Sequence, residues 1–342
     1  MKAIRFHQHG GPEVLQYEDA PDPVPRANEV LVRVRACALN HLDLWVRRGL
    51  PGVPIPLPHI PGSDVAGEIA KIGAEVSTAR VGQKVALAPG VTCGKCPACV
   101  SGRDNRCRQF TNLGYMIDGG SAEFVCCPEV NCMPYPENLS FDEAACIPLV
   151  FQTAWHMLVS RAELLPGEDV LILGAGSGVG SAAIQVAKFL GARIIATAGS
   201  DEKLAKALEL GADYVIHHKS QKIREEVRRI TNKRGVDVVF EHVGTATWDD
   251  SVASLALGGR LVTCGATTGY DAKIDLRFLF SRQLSVLGSY MGAKSELQTV
   301  MKLVAAGRFK PIVDRVFPLR EAAAAHAYLE AGSQFGKVVL AV

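Results

Sequence analysis

The sequence lacks three things that would mark its class at once: an excess of charge of one sign, a long apolar run, and any internal repeat or low-complexity tract. Its 37 lysines and arginines nearly cancel 35 aspartates and glutamates, which removes the general electrostatic argument for nucleic-acid or membrane-surface binding. The two stretches poorest in charge are both broken. Val170–Ala187 carries four glycines, two serines and a glutamine, and Ala144–Ser160 is interrupted by Pro148, Gln152 and His156. Neither offers the ~20 predominantly apolar residues of a membrane span. Met1–Gly10 has no apolar core of the secretory kind, so export is not expected and a cytoplasmic location is.

At 342 residues the chain is too long for one ordinary core, and 48% hydrophobic with 21% charged residues is a globular composition. Ten cysteines are present, and a reducing compartment leaves them as thiols. Six are scattered (Cys37, Cys126, Cys127, Cys132, Cys146, Cys264) and read as small buried hydrophobes.

The pattern changes near residue 150. Before it, short β-type runs alternate with turns rich in glycine and proline. In Glu29–Cys37 the residues Val30, Val32, Val34 and Ala36 share a face and Arg33 and Arg35 take the other, the period of a half-buried strand. Val65–Ile69 and Lys84–Ala88 continue it, and the whole reads as a partly open β-barrel. From Asp169 the rhythm becomes strand, glycine loop, helix. Strands are expected at Asp169–Leu173, Arg193–Ala198, Asp213–Ile216, Val236–Phe240, Arg260–Cys264 and Leu284–Leu287. Helices are expected at Ser181–Leu190, Asp201–Leu210, Lys222–Thr231 and Thr247–Leu257. That alternation describes a doubly wound parallel sheet. The tail from Pro311 returns to strand-like runs around a helix at Glu321–Ala331.

The glycine loop is the first chemical signal. Gly174-Ala175-Gly176-Ser177-Gly178-Val179-Gly180 follows a strand and opens a helix, where backbone can approach a pyrophosphate and free amides can bind it. NAD sites place a carboxylate at the end of the second strand, but here that point holds Ala198-Gly199-Ser200. Ser200 and Lys203 offer a donor and a positive charge to a 2′-phosphate, so NADP(H) is the preferred cofactor. The alternative is that Asp201 turns back to an NAD ribose. The second signal is the run Cys93, Cys96, Cys99 and Cys107, spaced C-x2-C-x2-C-x7-C. Four thiolates this close can close a tetrahedron around one zinc, and a closed site is structural.

A barrel with such a cysteine lobe, followed by a dinucleotide domain, resembles the medium-chain dehydrogenase/reductase superfamily over essentially the whole chain. The resemblance implies an α/β protein. A GroES-like, partly open β-barrel domain at 1–150 would carry the lobe at 93–107. A parallel-sheet Rossmann domain at 151–288 would bind NADP, and 289–342 would return to the first domain. The lobe is similar to that of zinc alcohol dehydrogenases, whose catalytic zinc would use three further positions. Those positions hold Asn40, Ser63 of Gly62-Ser63-Asp64, and Leu149. Asparagine, serine and leucine do not replace two thiolates and an imidazole. The run LNHLDLWVRRG, the form Ala175–Gly180 and the run Ala196–Ser200 resemble instead the quinone oxidoreductase branch, which has no catalytic metal and generally lacks the lobe. By that likeness His218 would help enclose the adenosine phosphate.

Without a catalytic metal, alcohol oxidation is disfavoured and reduction of a conjugated acceptor (enone, enoyl thioester or quinone) is favoured. Asn40 is the leading candidate to bond the substrate carbonyl or the nicotinamide amide, the alternative being that it caps a local turn. Ser63 and Asp64 would line the vacated metal pocket. His41 and Asp43 either relay a proton or form a polar surface turn, and His7, His9 and His59 read as surface or loop residues. Thr153, at an expected helix start, is a candidate nicotinamide-phosphate contact. Val243-Gly244 and Gly265-Ala266-Thr267, after strands four and five, should flank the nicotinamide. Two rivals stay open: an alcohol or aldehyde dehydrogenase recruiting zinc through Cys37, His41, His59 or Asp64, and a non-catalytic NADPH-binding protein. The expected partners are a small-molecule substrate and further copies of the chain. Pairing through an exposed strand near Leu284–Tyr290 would give a dimer or tetramer.

Overall fold

A computed structural model describes all residues from Met1 to Val342. The chain forms two compact units, Met1–Leu149 with Ala293–Val342, and Val150–Gly292. No helix is long and apolar enough to cross a membrane.

The first unit is built on a sheet of seven strands. In order they are Val313–Pro318, Lys337–Ala341, Glu29–Ala38, Asp64–Ile72, Lys84–Leu87 and Cys132–Met133, with Phe124–Pro128 also paired to Glu29–Ala38. Val30, Val32, Val34, Val65, Ile69, Val85, Leu87, Val338 and Leu340 form its core. Arg33 is exposed, and Arg35 reaches Glu68 at 2.9 Å.

The register of this sheet sets up the chemistry. Ala38 pairs with Val339 on one side and with Asp64 on the other. The Leu39 amide continues the ladder to the Val338 carbonyl at 2.8 Å. Side chains alternate with period two, so Asn40, two beyond Ala38, and Lys337, two before Val339, share the face of Asp64. Three residues far apart in sequence thus meet at one end of a strand pair.

The second unit is a six-stranded parallel sheet in the order Tyr214–His217, Arg193–Ala198, Asp169–Ile172, Val236–Glu241, Leu255–Thr263 and Ser285–Gly288. The order reverses between the first and fourth of these strands in sequence, Asp169–Ile172 and Val236–Glu241. Ligands of such sheets lie beyond the carboxyl ends at that point. The helix Asp201–Leu210 has the expected bounds. Two elements start earlier than their pattern predicts. The helix after the glycine loop begins at Gly178, not Ser181, because Ser177 caps it and the glycines are already helical. The fifth strand begins at Leu255, not Arg260, and runs through Gly258 and Gly259.

Candidate functional site

Three groups of residues carry chemistry, the cysteine lobe and a buried polar cluster in the first unit and the glycine loop in the second. The lobe folds around the short helix Pro97–Val100, with Gly94 and Gly102 at φ values of 71° and 73° that favour glycine. All four sulfurs of Cys93, Cys96, Cys99 and Cys107 lie within 4.8 Å of one another. Sγ–Sγ separations are 3.5 Å for Cys96–Cys99, 3.6 Å for Cys107–Cys93 and 3.9 Å for Cys93–Cys99. Zinc–thiolate bonds of ~2.3 Å imply sulfur–sulfur edges of ~3.8 Å in a tetrahedron, so the donor set fits zinc. The amides of Lys95 and Cys96 pull the Cys93 thiol down to about 6, favouring the thiolate that a metal needs. Asp104 anchors the lobe, accepting from the Lys294 amide at 3.0 Å and from Lys294 Nζ at 2.9 Å.

The second group is the cluster that the sheet register assembles. Asn40 precedes the helix His41–Arg48, and its amide donates to Asp43 Oδ2 at 2.7 Å. Asp43 Oδ1 accepts from the Gly62 amide at 2.9 Å. Gly62 has φ 105°, and a Cβ there would lie 2.6 Å from Cys37 Sγ and 2.9 Å from the Ser121 amide nitrogen. Asp64 follows on the next strand. Its Oδ1 accepts from the Leu149 amide at 2.8 Å, and its Oδ2 accepts from Asn40 Nδ2 at 3.0 Å and Lys337 Nζ at 2.8 Å. Lys337 Nζ also donates to Asn40 Oδ1 at 2.6 Å, and Asn40 Nδ2 lies 3.4 Å from the Ala38 carbonyl. The Ser63 hydroxyl donates to the Leu113 carbonyl at 2.7 Å. Asn40, Asp43, Ser63, Asp64 and Lys337 are all buried.

Several sequence readings need correction here. Asp43 is fully buried, not part of a surface turn; burial pushes its carboxyl up to about 6 against the two amides and Lys337. His59 is buried too, edge-on to Phe6, with Nδ1 3.7 Å from Asp118 and Nε2 unpartnered. Among the scattered cysteines, Cys37, Cys127 and Cys146 are buried, whereas Cys126, Cys132 and Cys264 are half-buried. The residue that sequence reasoning missed is Lys337. Its signal was a lone cation opening the apolar run KVVLA.

In the second unit, Ser177 caps the helix by accepting from the Gly180 amide at 2.9 Å, which leaves the first-turn amides of Gly178 and Val179 without helical acceptors. A Cβ on Gly180 would lie 2.3 Å from the Gly174 carbonyl, so helix and strand approach as closely as backbone allows. Gly176 sits between them in the turn. After the fourth strand, buried Glu241 accepts from the amides of Val243 and Gly244 at 2.6 and 3.1 Å, from Thr247 Oγ1 at 3.0 Å and from Ser251 Oγ at 2.5 Å. Thr267 Oγ1 donates to the His242 carbonyl at 3.2 Å, and a Cβ on Gly244 would lie 3.0 Å from Ala266 Cα. Val243, Gly244, Gly265, Ala266 and Thr267 therefore line one pair of joined loops. Glu241 was missed as their organiser.

At the end of the second strand, Ser200 caps the helix Asp201–Leu210, accepting from the Lys203 amide at 3.4 Å. A Cβ on Gly199 would meet His218 Nε2 at 2.9 Å and Lys219 Cε at 3.0 Å. Burial first, then the charges of His217, Lys219 and Lys203, hold His218 below the usual histidine range. Lys219 is a cation of this corner that the sequence did not single out. Thr153 is not at a helix start: it is the sixth residue of Pro148–Trp155, and its Oγ1 is buried without a partner. An unsatisfied hydroxyl and free helix-end amides beside a glycine turn are groups that can bind the phosphates of a dinucleotide.

Comparison with known proteins follows the same division. Residues 26–137 match the alcohol dehydrogenase GroES-like domain, and residues 178–306 match the zinc-binding dehydrogenase family. Quinone oxidoreductase of Rattus norvegicus is 31% identical over 99% of this chain and 97% of its own length. The crystal structure of an NAD-dependent alcohol dehydrogenase is 46% identical over 100% of both chains, with a TM-score of 0.97. A V350A variant of the crotonyl-CoA carboxylase/reductase AntE, in complex with NADP, is 26% identical over 100% of this chain and 94% of its own, with a TM-score of 0.92.

Proposed function

The chain belongs to the medium-chain dehydrogenase/reductase superfamily and is an oxidoreductase of that family, and from this premise we propose that it reduces a conjugated acceptor with NADPH and no catalytic metal. The observation that carries the proposal is the cluster at Asn40, Asp64 and Lys337. In zinc alcohol dehydrogenases, by the resemblance drawn from sequence, three side chains at positions 40, 63 and 149 hold the metal. Here they are an amide bonded at both ends, a hydroxyl already donating to Leu113, and a leucine. The cation among them is an ammonium, 2.8 Å from the one carboxylate of the cluster. That donor set does not fit zinc, and a second cation would meet the repulsion of Lys337 in a buried, low-dielectric place. Cys37, His41, His59 and Asp64, the ligands of the rival alcohol dehydrogenase reading, do not form a cluster; the cysteine lobe is the one group of metal-binding side chains. We assign one structural zinc to Cys93, Cys96, Cys99 and Cys107.

When bound, NADPH would supply hydride to the β-carbon of an enone or enoyl thioester, or to a quinone. Thr153, Gly176, Ser177, Gly178, Val179, Val243, Gly244, Gly265, Ala266 and Thr267 would hold its pyrophosphate and nicotinamide half. Ser200, Lys203, His218 and Lys219 would take the 2′-phosphate; the second strand itself ends in Ala198, Gly199 and Ser200 without the carboxylate that favours NAD, while Asp201 opens the helix that follows. Hydride addition would leave negative charge on the acceptor oxygen, and we assign Asn40, Ser63 and Asp64 to the polar wall that would meet it, with the Lys337 ammonium held by Asn40 and Asp64 as the positive charge of that cluster. The edge strand Ser285–Gly288, with Val286 41% and Tyr290 53% exposed, supports association of copies into a dimer or tetramer. Ten free thiols suit a cytoplasmic location.

Steady-state oxidation of NADPH and NADH with enone, enoyl-thioester, quinone and aldehyde panels tests the proposal. The expected result is turnover with a conjugated acceptor and preference for NADPH. A preference for simple alcohols with NAD, as in the name of the 46%-identical relative, would overturn it; tight NADPH binding with no turnover would support the non-catalytic rival.

A further inference from the structure

Within the second unit, Glu241 differs from the other buried carboxylates in having no cation beside it. It ends the fourth strand, Val236–Glu241, and is fully buried. One oxygen accepts from the amides of Val243 and Gly244 at 2.6 and 3.1 Å, the other from Ser251 Oγ at 2.5 Å and Thr247 Oγ1 at 3.0 Å. All four donors are neutral. Buried Asp64 meets Lys337, and buried Asp169 meets Arg193 and Arg234. Amides cannot accept and a carboxylate need not donate, so this donor set suits the ionised form of Glu241. A charge held by dipoles alone keeps its field, since no counter-ion cancels it at short range.

The strand order places that field. The third, second, first and fourth strands lie side by side in that sequence. Ser200 and His218 belong to the ends of the second and third, and the glycine loop follows the first. His242 ties the fourth strand to that loop: its Nε2 lies 2.8 Å from the Leu173 carbonyl and 3.5 Å from Ser177 Oγ, and a Cβ on Gly174 would lie 3.1 Å from its Cε1. A dinucleotide with its pyrophosphate on the glycine loop and its adenosine toward Ser200 has the side of the fourth strand left for its nicotinamide. Just past the fifth strand, burial first and then Glu241 push the Cys264 thiol up to about 12, so the carboxylate acts on both of the joined loops.

We infer that Glu241 sets which redox form of the cofactor the chain favours, its buried carboxylate stabilising the nicotinamide cation over the neutral dihydronicotinamide. This rests on the reading of the chain as a nicotinamide-dependent oxidoreductase and adds what tunes the cofactor's reducing strength. Hydride leaves the dihydronicotinamide with its electron pair, and the acceptor takes it together with a proton from solvent. The ring thereby changes from neutral to singly positive, while the pyrophosphate and the 2′-phosphate stay as they were. A site shifts an equilibrium only through its differential affinity for the two states. The carboxylate acts on that difference and makes the bound reduced cofactor a stronger hydride donor. The structural alternative is that Glu241 only holds the Val243–Gly244 turn, a role whose loss would weaken both forms of the cofactor alike.

The test measures Kd for NADP+ and NADPH, with no acceptor present, in wild type, Glu241→Gln and Ser251→Ala. NADPH is followed by its fluorescence and NADP+ by competition against it. Glutamine keeps an oxygen for the two amides and turns N–H groups toward the two hydroxyls, so the turn stays bonded while the charge goes. Ser251→Ala does the reverse, cutting one bond and keeping the charge. In Glu241→Gln the Kd of NADP+ is expected to rise about tenfold relative to that of NADPH, equivalent to ~30 mV for a two-electron couple. Ser251→Ala should keep the wild-type ratio within about twofold, even where both affinities fall. A folded Glu241→Gln protein with the wild-type ratio would overturn the inference. So would a ratio that moves as far in Ser251→Ala as in Glu241→Gln, a result that stands even if the glutamine variant does not fold. If the chain prefers NAD, the same ratio is read with NAD+ and NADH. Wild type that binds neither form of either cofactor would sink the reading of the chain as nicotinamide-dependent instead.

Discussion

The cysteine lobe and the Asn40 cluster lie in the same unit of the chain, yet they are built in opposite ways. The lobe gathers four soft sulfurs within 4.8 Å of one another, three of the pairs at 3.5–3.9 Å. The cluster has no sulfur or imidazole at the corresponding places and holds a lysine against a carboxylate. The difference is one of donor chemistry: four soft sulfurs within reach of one ion suit a closed structural metal site, whereas an amide, a carboxylate and an ammonium satisfy one another by hydrogen bonds and ion pairing.

Breaking each region in turn should give different kinds of loss. The largest effect belongs to the lobe. Cys96→Ser should release zinc and lower the melting temperature by on the order of 10 °C, since structural zinc contributes directly to folding. Turnover per folded molecule should stay within about threefold, and metal analysis with thermal unfolding checks both. Next comes the backbone that shapes the cluster. Gly62→Ala puts a Cβ at φ 105° and 2.9 Å from the Ser121 nitrogen; overpacking of this kind costs about 1–3 kcal/mol, measurable by urea unfolding, with little effect on zinc content.

Two buried titrating groups sharpen the comparison through pH. Burial and the neighbouring Arg47 hold His326 down at about 3, with Arg47 Nη1 3.3 Å from its Nδ1. Between that value and ~6.5 the unfolded chain binds a proton that the folded one refuses, so this group destabilises the fold as pH falls. Asp43 acts the other way. Its folded carboxyl, raised to about 6 by burial, holds a proton from there down to the ordinary aspartate range, so ionising it destabilises the fold as pH rises. His326→Gln should therefore gain stability relative to wild type as pH drops below 6.5, and Asp43→Asn should gain as pH climbs from 4 to 6. Each relative slope has an upper limit of about 1.4 kcal/mol per pH unit, the value for one unmatched proton. The smallest effect lies outside both regions. Lys219→Ala should weaken NADPH binding about tenfold, roughly 1.4 kcal/mol, and leave NADH binding unchanged; equal losses for both cofactors would remove Lys219 from the phosphate corner.

The two regions also differ in how far they can be read from sequence. The lobe's four ligands fall within fifteen positions, so spacing alone exposes them. The glycine loop is similarly local, and the parallel order of the second unit follows from strands and helices that alternate along the chain. The missing zinc ligands at 40, 63 and 149 were legible by resemblance. The lysine that bonds Asn40 and Asp64 was not, because Lys337 lies 297 residues from Asn40 and 273 from Asp64 and reaches them only through the strand register. Burial was the other blind point. Asp43 and His59 carry polar side chains in turn-like sequence, and only the packing of Gly62, Phe6 and Asp118 around them draws them inside. The Gly178 helix start was missed because glycines weaken helical propensity, while a serine cap outweighs them.

Zinc stoichiometry in the pure, active protein bears most directly on the contrast between tetrathiolate and ammonium. About one zinc per chain, lost entirely in Cys96→Ser with turnover retained in the molecules that stay folded, is the result this account requires. A second equivalent that survives in Cys96→Ser and disappears together with activity in Asp64→Asn would contradict it.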